Sequence, residues 1–220
     1  MLGRVHDPAP MSVATLLTLA DSRLPIGGHV HSGCVEEAVA SGLVRDVASV
    51  ELYLRRRMRT SGLVAASLAA AVCAGELDPA RAEAEADART PAPAARAASR
   101  AQGRGLLRLA KQVWPQRDWA VLGSRPHVST VFGVVGIAAA ASPQEIATVV
   151  VYTTMTGAAT AAQRLLALDP AAVAACTIRL AELCDAIAAE AVRGPAALSD
   201  PLQDVLAQRH PDREMPLFAS

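Results

Sequence analysis

Asp78-Pro79, Ser142-Pro143, Asp169-Pro170 and Asp200-Pro201 each place a capping side chain directly before a proline. Proline has no amide hydrogen and fixes φ, so it loses nothing at the first helical position. The preceding carboxylate or hydroxyl accepts one of the amides that a helix start leaves unpaired. Ser142-Pro143-Gln144-Glu145 adds a capping box, with Glu145 placed to reach back to the Ser142 amide. Gly75 and Gly194 stand where helices end, suited to a left-handed turn. This punctuation predicts helices near 12–22, 32–41, 46–60, 62–74, 79–89, 93–113, 127–140, 143–166, 170–192 and 201–208.

Composition bears on what those helices pack with. Apolar residues make up 52% of the chain and aromatics 3%, so the core is built from Ala, Leu and Val. No run alternates apolar and polar residues as a half-buried strand would. The expected fold is an all-α single-domain helical bundle of about ten helices with an Ala-rich core. Gly133, Gly136 and Gly157 lie in helix interiors, where glycine costs about 1 kcal/mol relative to alanine. Close helix crossing would justify that cost, so helices 127–140 and 143–166 are expected to form the central pair. Residues 1–10 read as a flexible N-terminal tail with no signal-peptide pattern, 11–209 as the helical domain and 210–220 as a C-terminal docking tail. Trp114 to Ser129 reads as a loop anchored by its two tryptophans.

Charge and cysteine usage exclude several classes. Lys plus Arg equal Asp plus Glu at 21 each, giving no global pull toward nucleic acid or anionic membrane. A long uncharged run, between Glu145 and Arg164, holds five threonines and a glycine. It reads as a buried helix rather than a membrane span. Four scattered cysteines without a CxxC pair fit reduced thiols in a cytoplasmic protein.

Candidate chemistry concentrates in Leu24-Pro25-Ile26-Gly27-Gly28-His29-Val30-His31-Ser32-Gly33-Cys34. Such a loop is either a shaped junction between helices or a site. No Gly-x-Ser-x-Gly turn or phosphate loop accompanies it, so neither hydrolysis nor nucleotide binding is indicated, and no cofactor is expected. His29, His31 and Cys34 offer imidazole and thiolate ligands suited to nickel or zinc, with a backbone-bonded loop histidine as the alternative. Arg96, Arg100, Arg104 and Arg108 recur every fourth residue and form a cationic stripe, either solvated or facing an acidic partner. After the last helix, His210 and the apolar hook Leu217-Phe218 form a segment that either packs on its own body or docks into a partner.

The loop motif, with Leu24-Pro25-Ile26-Gly27-Gly28, His31-Ser32-Gly33 and Glu36, resembles the N-terminal signature of the urease accessory protein UreF family. Arg96, Ser99, Gly103 and Arg104, then Gly133, Ala161-Ala162-Gln163-Arg164-Leu165, and His210 with Leu217-Phe218 and Ser220 resemble later motifs of the same family in order. His29 stands where an aromatic is usual, Pro211 where an acid is, and Pro216 where an arginine is. The resemblance implies an all-α, homodimeric, non-catalytic scaffold. It would join a UreD (UreH)-type protein and a UreG-type GTPase in delivering nickel to apo-urease. On that reading His31 and Glu36 shape a partner surface, Arg96, Arg100 and Arg104 face acidic groups, and His210, Leu217 and Phe218 order against the UreD-type partner. The rival readings are a nickel or zinc carrier using His29, His31 and Cys34, and a helical interaction module unrelated to urease.

Overall fold

The computed structural model describes residues 10–26, 31–209 and 217–218. Eleven α-helices and no strand occur among them: α1 (Val13–Leu19), α2 (Val35–Ala40), α3 (Val47–Arg57), α4 (Leu63–Cys73), α5 (Pro79–Ala88), α6 (Pro93–Val113), α7 (Val128–Ala138), α8 (Pro143–Leu166), α9 (Pro170–Arg179), α10 (Ala181–Ala191) and α11 (Pro201–Arg209). All four capped prolines open a helix. Asp78 accepts the Arg81 amide, Asp169 that of Ala171 and Asp200 that of Gln203, while Ser142 and Glu145 complete the capping box. Gly75 and Gly194 follow α4 and α10 with positive φ.

Three boundaries differ from the sequence reading. Helix α1 ends at Leu19 rather than near residue 22, because the Asp21 carboxylate bonds the Arg23 amide and turns the chain. The helices expected at 46–60 and 62–74 are joined without a break by a π turn, Met58–Gly62, in which the Leu63 amide reaches back five residues to Met58. The single helix expected at 170–192 bends at Leu180, whose side chain is fully buried and whose ψ is near −3°. No proline or glycine marks that bend, so tertiary packing imposes it.

The centre of the bundle also differs. Helix α4 packs against both α7 and α8, whereas α7 and α8 touch each other less. Residues of α4 are buried on nearly every side, from Leu63 and Val64 through Val72, as an Ala-rich helix without a polar face permits. Two glycines allow the close approach to α7. A Cβ at Gly133 would lie 2.5 Å from the Val72 Cβ, and one at Gly136 2.5 Å from Ile146 Cγ1. Gly157 has no such neighbour within 4 Å, so helix crossing does not explain it. Helix α6 covers the outer face of α7, α10 lies against α4 and α8, and α11 spans α6 and α2. Between α6 and α7 the chain forms a loop with a short 3-10 turn, Ala120–Leu122, and the buried Trp119 indole donates to the Trp114 carbonyl at 3.0 Å.

Candidate functional site

A cavity of about 600 Å³ opens between residues 21–26 and 31–34, the π turn, α6, α8 and α11. Its wall is mostly apolar, with Val64, Leu68, Phe132 and Ala161 among the lining residues, and members of two polar clusters also line it.

The first cluster is built around Gly33. Gly33 and Cys34 are consecutive residues in the left-handed region, with φ of 60° and 68°. Glycine is needed at 33 for a second reason: a Cβ there would lie 2.8 Å from the Arg57 guanidinium carbon. The Gly33 carbonyl, turned by that conformation, accepts the Tyr53 hydroxyl at 2.7 Å and Arg57 Nη1 at 3.0 Å. Gln203 of α11 closes the ring, accepting Arg57 Nη1 at 2.6 Å and donating to the Tyr53 oxygen at 2.6 Å. Beside it the buried Asp200 carboxylate takes Arg56 Nε and Nη2 at 3.0 and 2.5 Å and the Thr60 hydroxyl at 3.0 Å. Burial opposes charge on Asp200, but the bonds from Arg56, the Gln203 amide and Thr60 outweigh it and hold the carboxyl below its usual range. The residues that anchor α11 therefore sit on the π turn and the end of α3, a type of irregularity often found at functional sites.

The second cluster joins α5, α6 and α7. The His127 ring is 1% exposed; its Nε2 lies 2.9 Å from Asp87 Oδ1 and its Nδ1 3.0 Å from Ser99 Oγ. Its backbone amide donates to Glu83 at 2.8 Å. Arg100 spans Glu83 at 3.0 Å and Asp87 at 2.7 Å. Burial pushes the Asp87 carboxyl up, yet bonds from His127 and Arg100 prevail and leave it below its usual range. Serine, histidine and aspartate are the residue types of a hydrolytic relay. Here, however, Asp87 is held by Arg100 and faces Arg96 at 3.8 Å, and the imidazole is sealed from solvent. The arrangement locks three helices together.

The residues singled out from the sequence fall into three groups. His31 lines the cavity, and Glu36 is buried with its carboxylate accepting the Leu217 and Phe218 amides at 2.8 and 3.1 Å. Phe218 is buried against the body under the Arg164 guanidinium, 5.2 Å from the ring centre, while Leu217 is 76% exposed. Arg96 and Arg100 are turned inward: Arg96 donates to the Thr90 and Pro91 carbonyls, and Arg100 to the cluster above. Arg104 and Arg108 are exposed, and no carboxylate of the described residues pairs with them. His29 and His210 lie outside the described residues. Cys34 is buried, its Sγ 3.8 Å from the Gln203 carbonyl, and burial pushes its thiol above the ordinary range. Among the described residues no three His, Cys, Asp or Glu side chains come together in a metal-holding group.

Tyr53, Arg56, Arg57, Gln203, Asp87 and His127 carry these clusters without having stood out in the sequence. Arg56 and Arg57 sit inside a run of basic residues, His127 has no neighbour of its kind, and Asp200 announces itself only as a cap. Gly33, Ser99 and Arg100 did give a signal, through the loop motif, the Arg-Ser-Gly motif and the arginine stripe. No helix among the described residues is long and apolar enough to cross a membrane.

Comparison with known proteins bears on this geometry directly. The sequence model of the UreF family matches residues 44–181. The chain is 66% identical to the urease accessory protein UreF of a Mycobacterium species (strain JLS), over 95% of this chain and 99% of the relative. It is 66% identical to the protein of that name from Mycolicibacterium vanbaalenii and 61% identical to that of Mycobacterium marinum, with the same coverage in each case.

Proposed function

This chain belongs to the UreF family of urease accessory proteins, and on that premise we propose that it acts in urease maturation as a non-catalytic scaffold. In this role it joins a UreD-type accessory protein and a UreG-type GTPase in the cytoplasm while nickel, the cargo, is placed in apo-urease. The observation that carries the reading is the 66% identity to a urease accessory protein over nearly the whole chain.

The geometry supports particular surfaces for that scaffold. Glu36 captures two successive amides and Phe218 fills the adjoining wall, so the 217–218 segment is held while the exposed Leu217 side chain remains for a UreD-type partner. His31, at the cavity rim, belongs to the same surface on this reading. With Arg96 and Arg100 engaged internally, Arg104 and Arg108 are the part of the stripe left for an acidic partner. For a homodimer, the exposed Leu52 and Ile178 flank the Glu51–Arg179 ion pair that links α3 and α9, and together they offer an apolar patch.

The test is co-expression of this chain with UreD- and UreG-type proteins and apo-urease, followed by affinity capture, mass measurement of the complex and a nickel assay of the urease. The expected result is a complex containing two copies of this chain and both accessory proteins, with nickel-loaded urease that disappears when this chain is omitted. Equal nickel loading without the chain overturns the proposal.

A further inference from the structure

Arg57 is a half-buried guanidinium with an incomplete set of acceptors. Both of its hydrogen bonds leave from Nη1, to the Gly33 carbonyl and to Gln203 Oε1, and both acceptors are neutral. Its Nε is buried with no partner, and no carboxylate of the described residues pairs with it. A guanidinium taken from water without an anion carries a desolvation cost that neutral acceptors offset only in part. The usual completion is a carboxylate, whose two oxygens match the fork formed by Nε and Nη2.

The protein does not supply that carboxylate from the cavity wall. Asp21 is paired with Arg23 at 2.7 Å and Asp200 with Arg56 at 2.5 Å, while Asp204 accepts the Ala92 amide at 3.3 Å. Two of these acidic wall residues are held in ion pairs, Asp204 bonds a backbone amide, and none of the three pairs with Arg57. Gly33 leaves room for the guanidinium, since a Cβ there would fall 2.8 Å from Arg57 Cζ and Nη2, and both residues line the cavity. The same wall holds the apolar Val64, Leu68, Phe132 and Ala161. A cation with unmet hydrogen-bonding capacity on the wall of a mostly apolar cavity of about 600 Å³ is the recognition pattern for an amphiphilic acid of small-molecule size.

We infer that this cavity binds a low-molecular-weight carboxylate carried on an apolar body, with Arg57 as the partner of the carboxylate. The inference does not depend on the scaffold role. Binding requires a small shift of the Arg57 side chain to bring Nε to the ligand, and it couples the occupant to Gln203 on α11 through the bonds at Nη1.

Isothermal titration of the full chain with octanoate and with octan-1-ol reads the charge requirement. Octanoate is expected to bind at least tenfold more tightly, and Arg57→Met to reduce the difference to within about twofold. Because Arg57→Met also removes bonds to Gly33 and Gln203, Ala161→Phe serves as a second variant. It keeps the guanidinium and fills the apolar wall, and it is expected to lose both ligands while far-ultraviolet circular dichroism stays unchanged. Equal affinity for the acid and the alcohol overturns the inference, as does octanoate binding that survives both substitutions. So does tighter binding of the capped peptide acetyl-Leu-Glu-Leu-amide than of octanoate, which would assign the position to an acidic side chain of a docked protein.

Discussion

The two polar clusters beside the cavity differ in how completely their groups are satisfied. Around His127 every charged or polar side chain has a partner of matching character: both ring nitrogens are bonded, and Arg100 is shared between two carboxylates. Around Gly33 the Asp200 pair is complete, but Arg57 keeps a buried nitrogen without an acceptor. A fully satisfied buried network rigidifies what it joins, whereas an incomplete one marks a place where something else is to be received. The difference separates a structural joint of α5, α6 and α7 from a junction with a binding role.

The sharpest way to break this distinction is His127→Ala. The side chain is almost wholly buried, and its loss leaves Ser99 and Asp87 without the imidazole and opens a void between three helices. A destabilisation of about 3 kcal/mol is expected, combining lost packing with newly unsatisfied polar groups. Urea unfolding followed by circular dichroism measures it. A loss under about 1 kcal/mol would show that the second cluster is not the joint described here.

Asp200→Asn probes the other cluster and should cost less, about 2 kcal/mol, because Arg56 is half exposed and water takes up part of the lost pairing. Its signature is in pH. The folded carboxyl lies below its usual range, while the unfolded aspartate titrates at about 3.9. The ionised pair therefore contributes in full above that value, and the contribution fades as the pH drops through the lower folded value. Unfolding free energies measured downward from neutral pH should fall less steeply in the Asn variant than in the parent. An identical slope would show that Asp200 is not held ionised by Arg56.

These two residues also show what was legible before the structure. Asp200 was recognisable as a helix cap because capping is a local matter, decided by two adjacent residues and the amides just beyond. Its ion pair with Arg56 spans 144 positions and left no trace in spacing. The same contrast runs through the fold. The bounds of α6 and α8 coincide with the caps and prolines that define them, whereas the bend at Leu180 and the π turn at Met58–Gly62 answer to packing with distant elements. Glycines gave a middle case: Gly133 and Gly136 announced a close crossing, but that the partner was α4 rather than α8 for Gly133 depended on which helix brings Val72 against it. In the candidate site, Glu36 and Phe218 were legible as motif members, while the bond between them required the chain to fold back over 182 positions.

Helix α6 carries the comparison within one element. Its first half supplies Arg96 and Arg100, which are spent on internal acceptors; its second half supplies Arg104 and Arg108, which project outward with no carboxylate among the described residues. Four residues apart on one face, the latter two repel each other by a few tenths of a kcal/mol, partly offset by their place toward the helix C-terminus. The double variant Arg104→Gln, Arg108→Gln should therefore change unfolding free energy by less than about 0.5 kcal/mol. Arg100→Gln, by contrast, strands Glu83 and Asp87 and should cost more than the double variant in the same measurement. If the exposed pair serves an acidic partner, the double variant should fall out of the accessory complex in affinity capture at moderate salt while remaining as stable as the parent. Undiminished capture would make the outer half of the stripe a solvated face, and the division of α6 would then be one of stability alone.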